Sequence, residues 1–243
     1  MKQVVITGAT SGIGEQLARD YARQGWRVIA CGRNKDKLDA MQQDHASLEP
    51  LVFDATDRDQ THQALGALSA SSDLVILNAG TCEYIDYGKI DVPLFKRVFD
   101  INVFGVLNCI EALQASFVPG THLAIVGSSA SYMPLPRAEA YGASKAAISY
   151  LANTLSVDLA HQGVTVSLVS PGFVKTPLTD KNDFAMPMRV TVEQASAAIQ
   201  AGLEKRKAEV HFPRKFTYFL KIIALLPTSW QIAIARRMTR KQA

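Results

Sequence analysis

Residues 2–14 constrain the fold of this chain more than any other stretch. A short apolar run, residues 2–7 with Val4-Val5-Ile6 at its centre, enters Thr7-Gly8-Ala9-Thr10-Ser11-Gly12-Ile13-Gly14. Helical spacing follows over residues 15–24, with Leu17, Ala18 and Tyr21 on one side. A buried strand, a glycine-rich turn and a helix in that order form a phosphate-binding arrangement. Glycines permit the tight turn and a close backbone approach, and the helix N-terminus offers free N–H groups and the positive end of its dipole. The spacing is GxxxGxG, a variant of the GxGxxG fingerprint. Gly8, Thr10, Ser11, Gly12, Ile13 and Gly14 are therefore candidate cofactor-binding residues.

The same alternation continues along the chain. Apolar runs predict strands at residues 26–31, 51–53, 73–77, 122–126, 164–169 and 209–212, and helical spacing fills 34–45, 58–70, 92–117, 141–161 and 191–205. The stretch 173–190 reads as a loop rich in apolar residues. Strands alternating with helices predict an α/β fold: one doubly wound parallel sheet of about seven strands, helices on both faces, and ligands at the carboxyl edge. No repeat or interdomain linker interrupts it, so residues 1–213 read as one domain and 214–243 as a helical extension.

The loops after the strands supply further candidates. An acid near the end of the second strand would bind a ribose 2′-hydroxyl; that place holds Gly32, and Arg33 follows. A guanidinium there suits a 2′-phosphate, hence NADP(H) over NAD(H). Asp54 either accepts from an adenine amine or caps the following helix. Asn78-Ala79-Gly80 lets backbone approach a ligand. Asn102, a polar amide inside the 92–117 helix, is disfavoured there and suggests a purpose.

Tyr141-Gly142-Ala143-Ser144-Lys145 places a phenol and an ammonium one helical turn apart. The charge should pull the tyrosine pKa down from about 10, making the phenol a proton donor or acceptor near neutrality. Ser128, at the end of the fifth strand and thirteen residues upstream, can bring a hydroxyl beside it.

Taken together these residues resemble the short-chain dehydrogenase/reductase family, classical type, over about residues 2–213. The motifs run in order: Thr7-Gly8-xxx-Gly12-Ile13-Gly14, Asn78-Ala79-Gly80, Asn102, Ser128, Tyr141-xxx-Lys145, Pro171-Gly172 and Thr176. The resemblance implies a seven-stranded Rossmann sheet and reversible hydride transfer between nicotinamide and a carbonyl or alcohol. It implies Tyr141 as general acid/base, Ser128 steadying the substrate oxygen, Lys145 holding the nicotinamide ribose and lowering the Tyr141 pKa, and Asn102 ordering a water. Pro171, Gly172, Val174 and Thr176 join the cofactor set. An apolar small-molecule substrate is expected against Met133, Leu135, Phe173, Val174, Phe184, Met186 and Met188. The complete Asn–Ser–Tyr–Lys set argues against a non-catalytic NADP(H)-binding sensor or scaffold, and the short remainder after the last strand against a nucleotide-sugar epimerase.

Composition places the chain. Three cysteines without a CxxC pair, and an N-terminus that runs straight into the first strand, predict free thiols, a reducing cytoplasm and no signal peptide. The five histidines show no metal-ligand spacing, so no metal is expected. The net charge of +4 hides an asymmetry: residues 214–243 carry seven basic residues and no acid, and the body carries nineteen basic against twenty-two acidic. That tail predicts two short helices split near Pro227, outside the cofactor site, with apolar residues on more than one face. One stripe packs on the domain; the other needs a dimer partner, a substrate lid or a membrane surface, which would make the protein peripheral at the inner membrane surface. The expected partners are a carbonyl or alcohol substrate and further copies in a homodimer or homotetramer, with no nucleic acid.

Overall fold

The computed structural model describes residues 1–68, 71–86, 88–182 and 184–239. Seven parallel strands form one sheet in the order β3-β2-β1-β4-β5-β6-β7. They are β1 Gln3–Thr7, β2 Arg27–Gly32, β3 Leu48–Val52, β4 Leu74–Leu77, β5 His122–Val126, β6 Thr165–Pro171 and β7 Glu209–Phe212. The helices between them are α1 Gly12–Arg23, α2 Lys35–Asp44, α3 Arg58–Gly66, α4 Val92–Phe99, α5 Gly105–Leu113, α6 Glu139–Asp158 and α7 Val192–Glu204. Two more, α8 Arg214–Ala224 and α9 Thr228–Thr239, follow the last strand.

The apolar strand runs are continuous because both faces of the sheet are covered. Val4 and Ile6 of β1 pack with Leu17, Ala18 and Tyr21 of α1 and with Ala195, Ile199 and Leu203 of α7. Their neighbour Val5 turns the other way, among Leu65, Val106, Ile110 and Ile148 of α3, α5 and α6. Successive side chains of a strand point to opposite faces, so one run feeds two cores. The chain reverses its winding between β1 and β4, and this switch point opens the crevice where a ligand can sit.

Three expected elements come out differently. The third strand begins at Leu48 rather than Leu51, because Glu49 and Pro50 interrupt its apolar run. Pro50 is tolerated since β3 is an edge strand, and Arg27 Nε holds Glu49 at 2.6 Å from β2. The long 92–117 helix is not uniform: α4 and α5 are joined by a π-helical turn over Asp100–Phe104. The helix expected over 58–70 runs Arg58–Gly66; its expected end at Ala70 lies outside the described residues.

A buried histidine sets a pH limit on the sheet. His122 Nε2 lies 2.8 Å from Ser167 Oγ of β6, and that hydroxyl donates to Lys207 O at 2.6 Å. A hydroxyl has one proton, so the imidazole donates through Nε2. Burial, then the nearby Arg206 charge, lowers the His122 pKa to about 4. The unfolded chain therefore binds more protons between pH 6.5 and 4, and stability falls as pH drops through that window. From pH 7 to 5 this contributes a loss of about 1–2 kcal/mol, read as a lower urea midpoint. The His122→Gln variant should lose correspondingly less over the same interval; equal losses would reject this account.

Candidate active site

The glycine turn after β1 is shaped by neighbours that leave no room for side chains. Gly8 has φ +66°, and a Cβ there would stand 2.8 Å from Ala79 Cα. A Cβ on Gly14 would stand 2.3 Å from Gly8 O, so this glycine seats α1 on the turn. Asn78 binds the two halves of the switch point together. Its Nδ2 donates to Thr7 O at 3.1 Å and Gly8 O at 3.3 Å, and Thr7 Oγ1 accepts from the amides of Asn78 and Ala79. Ser11 stands at the N-cap of α1 without its hydroxyl capping the first turn, which leaves the helix's N-terminal N–H groups for a ligand.

These residues open onto a cleft of about 790 Å³ that crosses the carboxyl ends of β1, β2 and β4. Of the expected set, Gly8, Thr10, Ser11, Gly12, Ile13, Arg33, Asp54, Asn78, Ala79, Gly80 and Thr176 line it. Its length, its glycine cradle and the free N-terminus of α1 fit a nicotinamide dinucleotide. An acid in the missing place would crowd its neighbour: a Cβ on Gly32 would stand 2.7 Å from Thr10 Cγ2, so the Thr10 side chain would have to turn away. Arg33 Nη1 donates to Asp54 Oδ2 at 3.3 Å. Burial would raise the Asp54 pKa, but hydrogen bonds from Thr56 and the Arg33 charge outweigh it and leave it lowered. Asp54 does not cap α3; Asp57 does, accepting from the Gln60 amide.

Six expected residues do not line it: Tyr141 and Lys145, described below, and four that lie elsewhere. Gly14 packs beneath the turn. Pro171 ends β6, buried. Val174 turns its side chain into the core with Ile199 and Val210. Gly172 borders a second cavity, where its missing Cβ admits Phe216. Asn34, Lys35, Phe53, Thr81 and Ile101 line the cleft unforeseen; their shared signal is position just after a strand end or on the facing helix turn.

The second cavity, about 330 Å³, adjoins the first and holds Ser128 and Tyr141. Ser128 caps a short 3₁₀ turn, its Oγ accepting from Ala130 N at 3.1 Å, and its hydroxyl lies close enough to the Tyr141 phenol to draw the phenol's pKa down. Lys145, one turn along α6, is buried and donates to Val126 O at 2.9 Å, with Nζ 5.9 Å from the Tyr141 ring centre. Asn102 sits in the π turn, fully buried. Its Oδ1 accepts from Thr81 N at 2.8 Å, and its Nδ2 donates to Thr81 O and Ser144 Oγ at 2.9 Å. The amide therefore ties the strand end after Gly80 to the Tyr141 helix, and the π turn aims it there. Such turns often mark functional positions.

The expected downward shift at Tyr141 is not what this arrangement produces. Burial, then the nearby Cys82 thiol, pushes the phenol well above its ordinary value, and only the Ser128 hydrogen bond opposes this. Helical spacing brings the lysine near, but its ammonium is aimed at Val126 O. Burial in turn lowers the Lys145 pKa to about 8.

The rest of the second cavity is apolar. Met133, Leu135, Phe173 and Phe184 line it as expected; Met186 and Met188 do not, and Met188 is exposed. Tyr84, Cys82 and Asn182 add polar edges. The tail supplies the cover offered above as a substrate lid: Phe216, Phe219, Leu220, Ile223 and Ile234 close one side, with Phe216 stacked 5.5 Å from Phe173. The tail is indeed two helices split at Pro227 and lies outside the dinucleotide cleft.

A parallel sheet wound at β1/β4, with serine and tyrosine on an apolar cavity beside a dinucleotide cleft and a buried lysine next to the tyrosine, defines a nicotinamide-dependent oxidoreductase. The short chain dehydrogenase family model matches residues 2–186, and the chain belongs to that family. It is 34% identical to an uncharacterized oxidoreductase of Myxococcus xanthus (strain DK1622), covering 98% of this chain and 97% of the relative. It is 31% identical to a serine 3-dehydrogenase of Agrobacterium fabrum (strain C58 / ATCC 33970) over 72% of this chain and 73% of that one. A solved closed form of serine dehydrogenase complexed with NADP+ superposes with a TM-score of 0.78 at 25% identity, covering 86% of this chain and 94% of that one. The protein is accordingly an NAD(P)-dependent short-chain dehydrogenase/reductase acting on CH–OH or C=O groups.

Proposed function

We propose that the protein moves a hydride between NADP(H) and an apolar carbonyl or alcohol held in the second cavity, with Tyr141 as general acid/base. The observation that carries this reading is the placing of Ser128 and Tyr141 on the apolar cavity beside the dinucleotide cleft, with the buried Lys145 ammonium 5.9 Å from the Tyr141 ring centre. The nicotinamide supplies or accepts the hydride. The chain does the rest. Carbonyl reduction builds negative charge on oxygen, and the Ser128 and Tyr141 hydroxyls offer two donors to it. Tyr141 then gives up its proton, and in the reverse direction takes one. A phenol whose pKa is raised by burial holds its proton at neutrality until charge appears beside it. Lys145 holds the ribose hydroxyls, and Asn102 keeps the Thr81 segment and α6 in register. Screening carbonyls and alcohols of increasing chain length with NADPH and NADP⁺ tests the reading: apolar substrates should turn over and small polar ones should not.

The NADP(H) preference rests on Arg33 beside Gly32, where an acid would crowd Thr10, and the serine dehydrogenase neighbour's NADP+ complex agrees with it. Arg33 is largely exposed, so its pairing with a 2′-phosphate falls toward the weaker end of charge-assisted hydrogen bonds. Arg33→Ala should weaken NADPH on the order of 10-fold and leave NADH nearly unchanged, read by fluorescence titration. Equal weakening of both cofactors, or a wild-type preference for NADH, would refute the role.

A further inference from the structure

The tail helices close the substrate cavity on one side and face solvent on the other. Leu220 and Ile223 of α8 and Ala235 of α9 are buried against Met133. Glu209 on β7 holds the tail further, accepting from Tyr132 and from Lys221 of α8. The remaining apolar side chains are not covered. Tyr218, Phe219, Ile222 and Leu225 follow one another at helical spacing on α8, and Ile222 and Leu225 are 63% and 86% exposed. Trp230 of α9 is 61% exposed, and Ile232 is exposed beside it. A soluble monomer rarely leaves a group of this size open without a use for it. Phe219 belongs to both surfaces: it lines the cavity and is exposed.

Charge decides between the covers. Arg214, Lys215, Arg236 and Arg237 are exposed at the two ends of the α8–α9 pair, in a tail of seven basic residues and no acid. A symmetric dimer through this face would set the same patch against itself and oppose like charges. A contact between the face and the mildly acidic body of another copy is heterologous and closes only where its rotation generates a ring. An anionic lipid surface meets both properties at once: headgroups pair with the basic residues, and exposed aromatic and aliphatic side chains enter the headgroup–acyl boundary. We propose that the α8–α9 face docks on an anionic membrane surface. Docked so, the wall of the substrate cavity that carries Phe219 lies at the level of the lipid headgroups.

The test is co-sedimentation of the full chain with phosphatidylglycerol–phosphatidylcholine vesicles and with pure phosphatidylcholine, at low and high salt, with light scattering for mass. The expected result is binding to the anionic vesicles only, weakened by salt because the steering charges are exposed. The double variant Ile222→Glu, Leu225→Glu changes side chains that line neither cavity. It should bind at least about tenfold more weakly while keeping its circular dichroism and its turnover of a water-soluble substrate. Equal binding to both vesicle types, or none at low salt, would overturn the proposal. A wild-type dimer that the double variant converts to monomer, without vesicle binding, would overturn it in favour of a second copy. Sedimentation reads no turnover, so its outcome is independent of the reading of the active site.

Discussion

Tyr141→Phe should lower turnover by about a thousandfold while leaving NADPH affinity within about twofold. The substitution removes one oxygen and keeps the ring, so the packing beside Ser128 and α6 is retained. Ser128 keeps its bond from the Ala130 amide, and no buried partner is stranded. The lost atom is the one positioned to pass a proton to the substrate oxygen. General acid–base groups contribute roughly 10²–10⁴-fold. Steady-state kinetics with a turned-over carbonyl, together with fluorescence titration of NADPH, separate the two effects. A kcat within tenfold of wild type would remove Tyr141 from the chemistry. A Kd rising in step with the loss of kcat would make it a cofactor-binding residue instead.

The parts of this molecule legible in its sequence are those set by local rules. The glycine turn after β1 can be read because no side chain fits between Gly8, Ala79 and Gly14. Strands covered on both faces show as apolar runs, and β3 was misplaced because an edge strand need not be apolar: it accommodates Glu49 and Pro50. Asp54 and Asp57 both precede α3, and propensity does not rank them; the geometry of Gln60 chooses Asp57. The spacing of Tyr141 and Lys145 puts them on one helix face, as the structure has them, but spacing reports distance and not solvation, so it does not give the direction of the phenol's shift. The tail's contribution to the substrate cavity was open for a similar reason. An apolar stripe announces that it needs a partner, while the partner, here Met133 and Leu135 far back along the chain, is a property of the fold.

Lys145→Met should weaken both turnover and cofactor binding, and it should stabilise the protein at neutral pH. Methionine fills much of the lysine stem's volume, so the change isolates the ammonium. In the folded chain burial lowers the Lys145 pKa from 10.5 to about 8. The unfolded chain therefore binds more protons between pH 8 and 10.5. Stability rises as pH climbs through that window, and below pH 8 the full penalty of the buried cation is present. The bond to Val126 O offsets part of that penalty, leaving about 1–2 kcal/mol for methionine to recover at pH 7. Function runs the other way. If the ammonium holds the ribose hydroxyls, NADPH affinity is full below about pH 8 and falls about tenfold per unit above it, because the proton must be bound for the contact to form. In Lys145→Met affinity should be about tenfold lower at pH 7 and flat from pH 7 to 9.5, so the wild-type fall above pH 8 should level off at about this variant's affinity near pH 9, with kcat reduced at least a hundredfold. Urea titrations and NADPH titrations across that range give both curves. A variant less stable than wild type at pH 7, or one whose NADPH affinity keeps the wild-type slope above pH 8, would show that Lys145 is not the buried, cofactor-holding cation described above.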